Sequence, residues 1–340
     1  MLNTVYRLTA PKVFEEVFIE VNDLENKVVI RPLYLSICKA DQRYYQGKRA
    51  TEILNEKLPM ALIHEAIGEV IADPTGNFKI GDKVVMIPNT PVESDEIIAE
   101  NYLRSSTFKS SGTDGFLSDY VFLNPDRVVK LPDINLKVAS FIELISVSYH
   151  AIDRFKNLSH TRKERIGIWG NGNVGYITSL LLKILFPESE IIIFGTTLEK
   201  LSYFSFADEK YAIDNIPDDI PIDHAFECVG GNNSGEAINQ IIDLINPQGT
   251  IAILGVSEHD VAINTRMILE KGLVLFGSSR SGKEDFENTL KLIENNGKIV
   301  SYLENLITHC VEINDLSDIN NAFELDNNSK FGKTILKLNK

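Results

Sequence analysis

The feature that most restricts this chain is the stretch RIGIWGNGNVGYITSLLLKIL at residues 165–185. A short apolar run ends at Gly170, Gly172 and Gly175 follow at the spacing G-x-G-x-x-G, and a helix-forming segment begins at once. The first glycine permits a tight turn, the second lets backbone approach a pyrophosphate, and the third lets helix pack on strand, while the helix N-terminus attracts the anion. Gly170, Gly172, Asn173, Val174 and Gly175 are therefore candidate cofactor-binding residues; the plainer reading is a glycine-rich turn that binds nothing. The surrounding text alternates short buried runs with helical ones: EIIIFG, DHAFECVG, AINQIIDLI, GTIAILG and GLVLFGS. Such alternation predicts a doubly wound parallel sheet covered on both faces, an α/β fold.

An NAD-binding chain usually carries Asp or Glu about 20 residues past the motif, for the ribose 2′-hydroxyl. Here EIIIFG ends at Gly195 and is followed by Thr196, Thr197 and, after two more residues, Lys200. Hydroxyls and one positive charge suit the 2′-phosphate of NADP; alternatively Lys200 only lines a solvated helix face, and Glu199 or Asp208 serves the ribose.

Before residue 145 the text changes character. Short apolar runs such as KVVIRPLYLSI, EAIGEVIADPTGN and GDKVVMIPNTP are punctuated by Gly, Pro, Asn and Asp, which predicts a β-rich domain. A long polar loop is expected between residues 99 and 115. The tail reads as a helix near KEDFENTLKLIENN and strands at NLITHCVEI and GKTILKL, which can rejoin the first domain. With 340 residues, more than one hydrophobic core usually sustains, the chain divides into 1–146, 147–277 and 278–340, the middle segment binding the cofactor.

A net charge of −14 works against non-specific attraction to nucleic acid or an anionic membrane. Three scattered cysteines do not make a disulfide framework, and no run is long and apolar enough to insert in a bilayer, so a cytoplasmic small-molecule enzyme is expected. Cys228 and Cys310 are assigned no chemistry.

Within the β-rich region, Cys38 follows PLYLSI, His64 and Glu65 interrupt MALIHEAIGEV, and Glu143 sits inside ASFIELISV. Charges buried in apolar runs are costly unless compensated, and thiolate, imidazole and carboxylate are donors that zinc accepts. Residue types alone leave the alternative open: a buried cysteine is commonly a small hydrophobe, and a lone histidine a satisfied core group.

Taken together, C-x-x-D at Cys38 and Asp41, HE-x-x-GEV from His64 to Val70, GDKV from Gly81, the acid of IEL at Glu143 and GNGNVG resemble the zinc-containing medium-chain dehydrogenases, in order and spacing through nearly the whole chain. Among these the polyol dehydrogenases are similar in having Glu143 where alcohol dehydrogenases place a second zinc cysteine. CKADQRYYQGKR and KLPMALIHEAIG resemble the bacterial reductases of teichoic acid synthesis. The resemblance implies a GroES-like β-rich catalytic domain built from both chain ends, a central Rossmann domain, and catalysis in the cleft between them. It implies one catalytic zinc on Cys38, His64 and Glu65, with Glu143 a ligand or a partner through water, and NADPH-dependent reduction of D-ribulose 5-phosphate to D-ribitol 5-phosphate. It further implies a homo-oligomer and a ribitol-5-phosphate cytidylyltransferase as a partner. Two departures stand out: the usual glycine before the HE pair is Ile63, and the usual relay hydroxyl after the first cysteine is Ala40. No structural zinc is expected, because residues 85–120 contain no cysteine.

A phosphorylated substrate needs cations. Lys39, Arg43, Lys48 and Arg49 cluster after Cys38, with Arg43 and Lys39 the candidate substrate contacts, and Arg280 is a further candidate for substrate or cofactor pyrophosphate. Salt bridges on a solvated loop, or between domains for Arg280, are the plainer reading. Tyr44 and Tyr45 read as packing residues. Competing functions are a dehydrogenase of unphosphorylated polyols or alcohols, a non-catalytic nucleotide-binding protein and a zinc-independent quinone reductase.

Overall fold

The computed structural model describes residues 1–217 and 219–339, which pack as two units: Met1–Ser146 with Arg280–Lys340, and Val147–Ser279. The first unit is built on β structure. Strand Leu2–Ala10 pairs antiparallel with Val13–Glu20 and with Met60–Ala61. A seven-stranded sheet runs in the order Val128–Lys130, Lys83–Met86, Glu65–Ala72, Val28–Ser36, Lys333–Leu338 and Ile307–Ile313, with Val121–Leu123 also paired to Val28–Ser36. The C-terminal strand thus lies beside an N-terminal one, Ile335 opposite Ser36 and Lys337 opposite Tyr34. Both chain ends share one core, in which Leu8, Leu35, Phe116 and Ile63 are buried together with Phe323 and Leu336.

The C-terminal strand is buried along its first four residues. Ile335 and Leu336 are fully buried, and so is Lys333 at the head of the same strand, where its ammonium needs a partner. The segment expected as a polar loop differs: it carries a turn of 3-10 helix at Glu100–Tyr102 and a short strand, Thr107–Phe108, paired with Asn89–Thr90. Its polarity concealed two inward-pointing groups, Ser110 and the half-buried Phe108.

The second unit holds a parallel six-stranded sheet in the order Glu209–Ala212, Glu190–Gly195, Arg165–Trp169, Ile222–Glu227, Ile245–Ile253, Val274–Gly277. Strand order reverses between Arg165–Trp169 and Ile222–Glu227, the switch point outside whose carboxyl ends such sheets bind ligands. The inner strands are continuously apolar because both faces are covered: Ile191, Ile192, Ile193 and Phe194 are all fully buried. Trp169 stacks on Phe194, with ring centroids 3.9 Å apart.

Candidate functional site

Cys38 closes the strand Val28–Ser36 and its connection, and stands as the N-cap of helix Lys39–Tyr45. His64 and Glu65 enter the neighbouring strand Glu65–Ala72, whose Glu65 lies opposite Ser36. Sheet register therefore brings the thiol, the imidazole and the carboxylate to one place. Among the described residues, Cys38, His64 and Glu65 are the group of acids, histidines and thiols whose donor atoms all lie within 4.8 Å of one another.

Asp41 organises this cluster. Its fully buried carboxylate accepts hydrogen bonds from the Cys38 N–H at 3.1 Å, the Ile63 N–H at 3.0 Å and the Ser110 hydroxyl at 2.7 Å. Oδ1 also stands 3.7 Å from Nδ1 of His64, in the position of a carboxylate that orients a histidine ligand. Burial alone would raise the Asp41 pKa, but His64 and these donors more than reverse it. Burial likewise pulls His64 down, and the charges of Asp41 and Cys38 outweigh it, leaving the imidazole well above its ordinary range.

Ile63 departs from the ordinary backbone to make this geometry. Its φ is 72°, the left-handed region, in which a β-branched residue is rare. Its N–H is held by Asp41 and its carbonyl by the Phe116 N–H at 2.7 Å.

Glu65 is gripped from the C-terminal strand. The Lys333 ammonium lies 2.8 Å from each carboxylate oxygen, donating to Oε1, and also donates to the Ile37 carbonyl at 2.8 Å. Burial works against the Lys333 charge, and Glu65 with Cys38 more than restores it. Nothing in GKTILKL marks that lysine as buried; only the pairing of the two chain ends reveals it. Oε2 of Glu65 has only this ion pair with Lys333, and Nδ1 of His64 is buried with no hydrogen bond within range among the described residues. A site that holds a thiol, an imidazole and a carboxylate with unsatisfied polar atoms fits a zinc ion.

Glu143 occupies the first turn of helix Ile142–Leu158 and is 5% exposed. It stands outside the tight three-donor group, yet burial first, and then the charge of Glu65, push its carboxyl up to about 7 against the opposing pull of His64. Arg280 lies 4.7 Å above the ring of Phe108, which meets His64 edge-on at 5.4 Å between centroids. Of the other proposed cations, Lys39 is 69% exposed and 3.9 Å from Asp326, Arg43 is half-buried in the last turn of its helix, and Arg49 stacks on Tyr44. Tyr45 packs on Phe323 and donates to Glu324.

In the second unit, Gly170 takes a φ of 118°, and its N–H donates to the Phe194 carbonyl at 2.9 Å. A Cβ on Gly175 would collide with the Gly170 carbonyl oxygen, whereas one on Gly172 would meet open space. Gly172 caps helix Asn173–Leu185 without a side-chain bond, and a helix N-terminus of this kind attracts an anion. Thr196 and Thr197 are exposed after strand Glu190–Gly195, and Lys200 is half-buried in the helix Leu198–Ser202. Asp208 is engaged elsewhere, by Lys183 at 2.8 Å and the Ile191 N–H at 2.7 Å. Sequence reading missed Glu227, a buried carboxylate that accepts from the N–H groups of Val229, Gly230 and Gly255 and so fixes the loops beyond two central strands.

Comparison with known proteins places this architecture. Residues 24–133 match the alcohol dehydrogenase GroES-like domain, and residues 199–295 match the zinc-binding dehydrogenase domain. The chain is 53% identical over 338 residues to the ribulose-5-phosphate reductase of Bacillus spizizenii, and 54% identical over 338 residues to ribulose-5-phosphate reductase 1 of Staphylococcus aureus, covering 99% of both chains in each case. The crystal structure of S. aureus TarJ in complex with NADPH superposes with a TM-score of 0.90 at 49% identity, each chain covered completely. A likeness of this extent leaves no segment of either unit unmatched, and the chain belongs, beside the ribulose-5-phosphate reductases, to the zinc-binding dehydrogenase family.

Proposed function

We propose that this chain reduces D-ribulose 5-phosphate to D-ribitol 5-phosphate with NADPH, using zinc held by Cys38, His64 and Glu65. The observation that carries the reading is the convergence of those three donors within 4.8 Å, in a chain that matches ribulose-5-phosphate reductases end to end. Zinc bound there supplies Lewis acidity toward a carbonyl oxygen. The glycine turn at 170–175 binds the cofactor pyrophosphate, and Thr196, Thr197 and Lys200 receive the 2′-phosphate where an NAD-specific chain would present an acid. NADPH gives a hydride to the C2 carbonyl carbon and leaves as NADP⁺, while the C2 oxygen takes up a proton. Glu143 is the group we assign to hold that proton, since its carboxyl is pushed up to about 7 and no hydroxyl stands at Ala40. Asp41 and Lys333 position His64 and Glu65 respectively. Arg280, with Arg43 and Lys39, supplies positive charge for the substrate phosphate.

The cellular setting follows from the same reading. All three cysteines are unpaired, which supports a cytoplasmic enzyme, and among the described residues no helix is long and apolar enough to cross a membrane. A cytidylyltransferase that consumes ribitol 5-phosphate for teichoic acid precursors is the proposed partner. We further assign a homo-oligomer: strand Val274–Gly277 ends its sheet, Val274 is 39% exposed and the adjoining Leu269 82% exposed, an edge suited to a second copy.

The test is consumption of NADPH by zinc-loaded protein on ribulose 5-phosphate, with free ribulose and NADH as comparisons and the product identified as ribitol 5-phosphate. Equal turnover of free ribulose would transfer the assignment to an unphosphorylated polyol dehydrogenase.

A further inference from the structure

Arg280 combines three unusual properties. It is a non-glycine residue in the left-handed region, with φ at 58°. Such a conformation is strained for an L residue and persists where the surroundings enforce it. Here the flanking chain does so: the hydroxyls of Ser281 and Ser146 are 2.7 Å apart and buried, the Gly282 N–H donates to Asp285 at 2.8 Å, and the Lys283 N–H donates to Glu100 at 2.7 Å. The guanidinium so placed is half-buried and has neither an ion pair nor a hydrogen bond among the described residues, its contact being the face of Phe108. Burial works against its charge, with the Glu143 carboxylate opposing that loss.

Stacking uses the flat face of a guanidinium and leaves its in-plane N–H groups outward, the arrangement with which arginine grips phosphate oxygens in pairs. Phe108 is the common neighbour of Arg280 and His64. The same aromatic ring therefore borders both this cation and a candidate metal ligand.

Resting on the functional reading above, we propose that Arg280, carried on Phe108, is the phosphate anchor by which this site selects phosphorylated over free ketoses. Lys39 serves this purpose less well, being largely exposed and committed to Asp326.

The experiment compares wild type, Arg280→Met and Arg280→Lys as zinc-loaded full chains. Steady-state kinetics on ribulose 5-phosphate and ribulose are paired with calorimetric titration of inorganic phosphate. Loss of a charge-assisted contact predicts that Arg280→Met raises KM for ribulose 5-phosphate about tenfold or more. KM for NADPH, zinc content and Tm stay at wild-type values, phosphate binding disappears, and Arg280→Lys recovers part of it. An unchanged KM for ribulose 5-phosphate would overturn the proposal, as would a rise in KM for NADPH instead. Wild type inactive on ribulose 5-phosphate would refute the functional reading; the phosphate titration would then decide Arg280 alone, binding lost in Arg280→Met supporting the anchor and wild type that binds no phosphate refuting it.

Discussion

Ile63 shows how far this chain bends ordinary preferences to set its candidate ligands. A left-handed backbone disfavours any L residue by roughly 1–2 kcal/mol, so glycine is the natural occupant. Yet the Ile63 side chain is fully buried in the core of the first unit. Deleting a buried aliphatic chain costs about 2–5 kcal/mol, and glycine adds unfolded-state entropy. Packing should win over strain: Ile63→Gly is expected to destabilise by roughly 1–4 kcal/mol, read as a lower Tm, despite restoring the residue the backbone prefers. A higher Tm would show that strain, not packing, dominates here. The candidate ligands themselves were legible because thiol, imidazole and carboxylate stood out within apolar runs. Asp41 was legible as part of C-x-x-D, but two of its three donors were not, since Ser110 and the Ile63 N–H come from distant segments. Lys333 was invisible for the same reason: a lysine heading a strand reads as solvated until its strand is paired beside Val28–Ser36.

At the scale of elements, the turn between strand Arg165–Trp169 and helix Asn173–Leu185 separates two roles of glycine. Gly175 lets the helix close against Gly170, and Gly172 leaves room outside. Gly175→Ala must push the helix off the strand, and we expect lower Tm together with NADPH binding weakened about tenfold or more. Gly172→Ala should keep the wild-type Tm and lose affinity alone, because its Cβ obstructs only the approaching pyrophosphate. Fluorescence titration with NADPH and thermal melting of both variants separate these outcomes; an unchanged Kd in both would remove the turn from the cofactor site. This motif was readable because its strand–turn–helix geometry is written in local spacing. The segment 99–115 was not, because short strands such as Thr107–Phe108 carry too few residues to display a period, and Phe108 lies among Ser, Thr and Lys.

The whole molecule joins a β unit made from both chain ends to a parallel-sheet unit made from the middle, and sequence punctuation displayed that order well. Strand pairing between Lys333–Leu338 and Val28–Ser36 was less legible, because register over three hundred residues depends on shared core burial rather than local pattern. Association is a property of this scale too. Replacing Leu269 and Val274 by Glu would place like charges on the edge strand Val274–Gly277 and on the helix Thr265–Lys271 that precedes it. We expect wild type to sediment as a dimer or larger and the double variant as a smaller species, with wild type sedimenting as a monomer contradicting the assignment. If one buried donor cluster makes this chain a zinc-dependent reductase of a ketose phosphate, NADPH-dependent turnover of ribulose 5-phosphate tracks zinc content in wild type and in Cys38→Ala. Wild type is expected to hold about one zinc per chain and to turn over, and the variant to lose both, as a single catalytic site requires. Turnover that persists in a zinc-free Cys38→Ala protein would remove zinc from the reaction.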